Sequence, residues 1–135
     1  MATLNATLAL TSSDAFDGQN LSISATDALT IAAPYTDLSL ERVDTTGANS
    51  IILPAGTAVG YLYVKHTGKR SDGTTDSGAS DFCDLEITDD SSAFARLAPT
   101  EFLFMPFNHA GVSVGVQLQM TANDATVEYA YFTKG

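Results

Sequence analysis

Cys83 is the single cysteine of the chain and His66 and His109 its two histidines, so these three side chains supply the obvious nucleophile–base chemistry. That chemistry requires a thiolate held against an imidazole. Cys83 alternates with Leu85 and Ile87 on one face of a strand pattern, which is where a small buried hydrophobe belongs. His66 closes a strand pattern and His109 falls in a turn, so both read as polar surface or capping groups. A second chemistry is oxygen ligation of calcium by Asp72, Asp76 and Asp81 in the acidic stretch 71–81. The spacing is not that of an EF-hand, and Lys69 and Arg70 stand beside it, so a solvated, mobile loop tip is expected. Gly68-Lys69-Arg70 lacks the glycine spacing of a phosphate-binding loop. Asp89-Asp90 sits in a turn, where Asp bonds its own backbone. The expectation is a non-enzymatic protein with no metal and no cofactor.

The elements that position these residues are strands. Val112, Val114, Val116, Leu118 and Met120 alternate with polar or small residues, and Val127, Tyr129 and Tyr131 repeat the pattern after the short Ala122-Asn-Asp turn. A period of two puts one face on a core and the other toward water. The short turn points to an antiparallel hairpin. Leu4, Ala6, Leu8 and Leu10 form an opening strand, followed by a turn over 14–20 and short alternating pieces around Leu21/Ile23 and Leu29/Ile31. Further strands fall at 36–43, 51–53, 58–66, 82–88 and 94–97. The 58–66 strand is apolar on both faces and reads as central. Glu101-Phe-Leu-Phe-Met-Pro-Phe is a continuous apolar run, and Pro106 puts it at a sheet edge or ends it there.

Composition agrees. Thr (17) and Ser (12) are abundant while Glu, Gln, Lys and Arg are scarce, which favours strands and turns over helices. A chain of 135 residues with 44% hydrophobic residues supports one globular domain over 1–135. The expected fold is all-β: a single-domain antiparallel β-sandwich, jelly-roll-like, of about ten short strands. Periodicity does not distinguish the jelly roll from other sandwich topologies.

A net charge of −10 disfavours nucleic acid and anionic membrane surfaces as partners, and it keeps the protein soluble. No basic residue precedes Arg42. A lone cysteine forms no intramolecular disulfide, and the start of the chain lacks the pattern of a signal peptide, so folding in a cytoplasm is expected. Tyr61, Tyr63, Tyr129 and Tyr131 lie at two-residue spacing, as in sandwiches that stack tyrosines on sugar rings; core packing explains the same pattern.

Several segments in order carry a likeness: Ile51-Ile-Leu-Pro-Ala-Gly, Gly60-Tyr-Leu-Tyr-Val-Lys-His-Thr-Gly, a glycine-rich loop, Leu85-Glu-Ile-Thr, Phe94-Ala-Arg-Leu-Ala-Pro-Thr-Glu, and Ala125-Thr-Val-Glu-Tyr-Ala-Tyr-Phe. Together they resemble the small all-β structural proteins of tailed bacteriophages, over roughly two thirds of the chain. Two positions depart from that pattern: His66 stands where those proteins often have Asn, and Thr100 where they often have Gly, which points to a different turn type at the corner. The resemblance implies a virion component: a capsid decoration (cement) protein on the head surface, bound to the major capsid protein, homo-oligomeric and trimeric by preference. Tail or fibre accessories and carbohydrate-binding modules are the alternatives. The expected contacts are Thr3, Leu4, Asn5 and Leu8 on the opening strand, which could add to a neighbour's sheet edge, and Lys69, Arg70 and Asp72 in the polar loop.

Overall fold

The computed structural model describes residues 2–16, 18–35, 37–45, 50–56, 59–88, 90–107 and 115–134. The chain is all-β, with no helix among the described residues. The ten strands are β1 (Ala2–Phe16), β2 (Gln19–Tyr35), β3 (Ser39–Val43), β4 (Ser50–Leu53), β5 (Tyr61–His66), β6 (Cys83–Ile87), β7 (Asp90–Leu97), β8 (Phe102–Pro106), β9 (Val116–Met120) and β10 (Ala125–Lys134). Contacts group them into two compact units, Met1–Ala33 with Lys134–Gly135, and Pro34–Thr133.

The first unit is a long antiparallel hairpin of β1 and β2, in register without interruption from Ala2 opposite Ile31 to Ser12 opposite Leu21. The separate short pieces expected around Leu21/Ile23 and Leu29/Ile31 are one continuous strand. The intervening Ser-Ala-Thr-Asp-Ala contains neither Gly nor Pro, so nothing there ends the extended backbone. The reversal is made by Gly18, whose φ of 83° favours glycine and whose N–H donates to Asp14 Oδ1 at 2.6 Å. Because paired residues project from the same face, Leu4, Ala6, Leu8 and Leu10 share a stripe with Leu29, Ala25, Ile23 and Leu21. Thr3, Asn5 and Thr7 occupy the opposite face with Thr30, Ala28 and Thr26.

The second unit is a two-sheet sandwich. In one sheet β10 lies between β3 and β5, and β8 pairs with the far side of β5, giving the order β3-β10-β5-β8. The other sheet runs β4-β9-β6-β7. All these pairings are antiparallel, and each step from β3 to β4, β4 to β5, β5 to β6, β7 to β8, β8 to β9 and β9 to β10 changes sheet. An eight-strand double sheet with this order is a jelly roll.

That order corrects the expected hairpin between the last two strands. β9 pairs with β4 and β6, whereas β10 pairs with β3 and β5. The short segment 121–124 therefore carries the chain across the sandwich. The apolar faces of the two strands, with Val116, Leu118 and Met120 on one and Ala125 and Val127 on the other, are buried in one core. Residues 112–114 of the alternating run, and His109, lie outside the described residues.

The core also takes Val43, Ile52, Leu53, Leu62, Val64, Cys83, Leu85 and Leu97. Cys83 is fully buried, as its alternation with Leu85 implies. Among the described residues β8 pairs with β5 alone, and it ends at Pro106, the edge position that proline tolerates.

Candidate functional site

The polar residues singled out by their chemistry are tied into structure. His66 was expected at the surface and is instead completely buried. Its Nε2 donates to the Asp81 carbonyl at 2.9 Å, and its Nδ1 accepts from the Gly68 N–H at 3.1 Å. This pairing selects the neutral tautomer with its proton on Nε2. Burial lowers the His66 pKa, against the opposing pull of Asp81.

Asp81 is itself buried, and its carboxylate accepts from Asn123 Nδ2 and the Gly78 N–H, both at 2.7 Å, with Arg70 Nη2 at 3.4 Å. The Asn123 hydrogen bond leads in holding the Asp81 pKa down. The stretch 67–80, expected to be an exposed, mobile hairpin tip, is a small hairpin held by backbone hydrogen bonds. The Arg70 N–H donates to Thr75 O, Ser77 N–H to Gly68 O, and Thr126 N–H to Lys69 O. Its tip residues are exposed, but its base is buried by His66 and Asp81.

The three carboxylates weighed as calcium ligands have separate partners. Asp72 accepts from Thr75 Oγ1 and from the Thr74 and Thr75 N–H groups, with the Thr75 side-chain bond leading in holding its pKa well below the usual range. Asp76 pairs with Lys69, and Asp81 closes the loop. Lys69, Arg70 and Asp72, offered as partner contacts, therefore share one hairpin but are engaged within it.

Burial, with Asp84 second, pushes the Cys83 thiol up to about 12, so no thiolate is available at neutral pH. Next to it, Asp84 is nearly buried and takes a two-pronged bond from Arg96, Nε at 2.6 Å and Nη2 at 2.8 Å, while that guanidinium lies over the Phe82 ring.

His66 and Thr100 meet in one corner. The Thr100 N–H donates to His66 O at 3.1 Å, and the His66 N–H donates to Glu101 O at 3.0 Å. The turn Ala98-Pro99-Thr100-Glu101 is closed by Glu101 N–H to Ala98 O at 3.0 Å, and Thr100 has a φ of 74°. That is the type II arrangement, with proline second and a positive φ third. Threonine here occupies the conformation that suits glycine.

Several large apolar side chains remain exposed on the molecule. On the hairpin, Leu8, Leu10 and Ile23 keep 47%, 45% and 46% of their surface. The expected contacts Leu4 and Leu8 lie on this stripe, whereas Thr3 and Asn5 face the other way. β1 pairs only with β2 among the described residues, so its second edge is open to strand addition.

On the jelly roll, the outward face of the β3-β10-β5-β8 sheet is aromatic. One row across it is Leu40, Glu128, Lys65 and Phe102; the next is Ala130, Tyr63 and Phe104; a third is Phe132, Tyr61 and Pro106. Leu40 and Phe102 are 66% and 62% exposed, whereas Ala130 and Tyr61, which stacks on Phe104 at 6.2 Å with nearly parallel rings, are buried. The tyrosine row is thereby split: Tyr61 and Tyr63 belong to this outward face, while Tyr129 and Tyr131 pack against the core. The two-sided hydrophobicity of 58–66 was the available signal for this surface.

No protein-family model, curated protein or solved structure matches the chain.

Proposed function

We propose that this chain is a non-enzymatic virion structural protein, a capsid decoration protein that binds the outer surface of a tailed-phage head through the major capsid protein. The observation that carries this reading is a jelly-roll unit together with a long hairpin on which Leu8, Leu10 and Ile23 are exposed. Exposed apolar side chains on a hairpin gain stability from a surface laid on them. Leu4 and Leu8 are the attachment residues on the stripe, and the open edge of β1, with Thr3 and Asn5, is suited to strand addition on a neighbour. The hydrogen bonds of His66, Asp81 and Asp72 support a structural use of these groups. A net charge of −10 suits the exterior of a particle filled with nucleic acid.

Quantitative mass spectrometry of purified particles tests the reading. A near-constant ratio to the major capsid protein supports it, a trace amount moves the chain to the tail or a fibre, and absence from clean particles refutes it. Deleting residues 2–10 tests the arm: a truncated protein that folds and still binds particles removes β1 from attachment. The exposed Phe102 and Phe104 rings favour a second reading, carbohydrate binding by the aromatic face, which a glycan array addresses.

A further inference from the structure

We infer that the hairpin 67–80 is an acid-operated flap: it opens as a unit while both sheets of the sandwich stay paired, and protonation of His66 holds it open. The ring of His66 joins the two ends of this hairpin. Its Nδ1 accepts from the Gly68 N–H on the outgoing leg, and its Nε2 donates to the Asp81 carbonyl where the chain returns, at 3.1 and 2.9 Å. His66 and Asp81 are 0% and 2% exposed, so the closed hairpin keeps water from both. A proton on Nδ1 sets one N–H against another, and the bond from Gly68 is lost.

The hairpin can leave without opening the core. Between 67 and 80 the one hydrophobic residue is Ala79, which is exposed, and no member of the segment belongs to the core cluster. What holds the hairpin down is polar. The N–H and Oγ1 of Thr126 donate to the Lys69 and Arg70 carbonyls, and the Asp81 carboxylate accepts from Gly78 and Arg70. A segment fixed by hydrogen bonds, with no buried apolar area at stake, opens below the free energy of global unfolding.

The charge that acts on the ring is that of Asp81. Within the hairpin Lys69 turns to Asp76 and Arg70 to Asp81, and in the corner the Glu101 carboxylate accepts the Ala98 N–H. From β10 the facing Thr126 and Val127 are uncharged, and the 121–124 segment, which also carries Asp124, gives Asn123 to Asp81. Burial lowers the His66 pKa by more than Asp81 raises it, whereas an open hairpin returns the ring to its ordinary 6.5. Protons therefore favour the open form as pH falls below 6.5, by up to about tenfold per pH unit, until the closed ring protonates too. Opening parts Arg70 from Asp81, so the flap regulates the surface that Lys69, Arg70 and Asp72 present. It does not rest on the virion reading.

The test is amide hydrogen exchange, read residue by residue by NMR on the full-length chain between about pH 6.5 and about pH 4.5 and corrected for the intrinsic rate, with and without low urea. The reporters are the N–H groups of Gly68, Ser77 and Gly78, which bond His66 Nδ1, the Gly68 carbonyl and the Asp81 carboxylate. Amides of β5 and β9 report the sandwich. The expected result is that the reporters lose protection together, by up to about tenfold per pH unit, with a smaller urea dependence than β5 and β9. His66→Gln, neutral throughout, should remove that pH dependence. Reporter protection that does not change with pH overturns the inference. So does a urea dependence equal to that of β5 and β9, which means that the hairpin opens only with the whole chain. A pH dependence that survives in His66→Gln overturns it too, by moving the cause to Asp81 or His109. Where His66→Gln does not fold, an NMR titration of the ring in the unaltered chain takes its place: a His66 pKa below 6.5 is expected, and one at or above 6.5 refutes the flap. Absence from particles, by contrast, refutes the virion reading and leaves these exchange rates unaffected.

Discussion

Replacing Thr100 with glycine should stabilise the protein. Thr100 holds a φ of 74° at the third position of the 98–101 turn, and its branched side chain is unsuited to that conformation. For an L-residue the left-handed region costs about 1–2 kcal/mol. Glycine removes that cost but gives the unfolded chain more freedom, worth about 0.4–1 kcal/mol in the other direction. Thr100 is exposed, so little packing is lost, and its N–H bond to His66 O is a backbone bond that glycine keeps. The balance is a gain of about 0.5–1 kcal/mol, or a rise of about 2–5 °C in Tm for a chain of this size. Urea unfolding of the unaltered chain, Thr100→Gly and Thr100→Ala, with equal m-values, measures it. Thr100→Ala retains a Cβ in the left-handed region and should fall below the glycine variant. A Thr100→Gly protein less stable than the unaltered chain, or indistinguishable from Thr100→Ala, would refute the reasoning.

The same corner makes Gly68→Ala costly. Gly68 has a φ of 78°, and an added Cβ would stand 2.7 Å from Thr100 Cγ2, so a loss of about 2 kcal/mol or more is expected, falling by about 1 kcal/mol in a Thr100→Gly background as read by a double-mutant cycle. Gly115→Ala should cost about 3 kcal/mol or prevent folding, because its Cβ would collide with the Leu53 carbonyl oxygen, a backbone atom that has no room to move; soluble yield and thermal melts report this. Stability should decline on acidification in two separate windows. The unfolded chain protonates His66 near pH 6.5 while the native state, with its lowered pKa, stays neutral, so up to about 1.4 kcal/mol is lost per pH unit below that point until native His66 also protonates. Asp81, lowered from 3.8, keeps its contribution above that value and loses it as pH falls through the native pKa. His66→Gln should abolish the upper window alone in pH-dependent urea titrations. Cys83 should resist thiol reagents in the native protein and react in step with unfolding; fast labelling without urea would contradict its complete burial.

Alternation along the strands already indicated which side chains enter the core. Cys83 and Leu85, Val116, Leu118 and Met120, and Val127 are buried as their spacing requires, because a pleated strand sends successive side chains to opposite faces whatever it pairs with. Pro106 likewise placed β8 at an edge, since a residue without an N–H is excluded from central strands. The strand partners were a different matter. The three-residue turn before β10 looked like a hairpin, yet β9 and β10 belong to opposite sheets, since periodicity orients a strand's faces and is silent about which edge meets which.

The interaction surfaces show the same division. Leu4 and Leu8 could be seen as an apolar face from their spacing, but the register with β2 placed Ile23 and Ala25 beside Leu10 and Leu8 and made one stripe of two segments. Phe102, Tyr63 and Leu40 are far apart along the chain, and only cross-strand pairing sets them on one sheet face. His66 read as a strand-end surface residue because a histidine carries no mark of burial in its neighbours. Its partners are the Asp81 carbonyl, fifteen residues on, and a Gly68 N–H that the folded loop turns toward Nδ1. By itself the sequence determined an antiparallel β chain and the inward face of most of its strands, because those follow from local alternation and turn chemistry. The tertiary structure decided the sheet order, the buried histidine and the exposure of Leu8, Ile23 and Phe102, because each depends on contacts between residues distant in the chain.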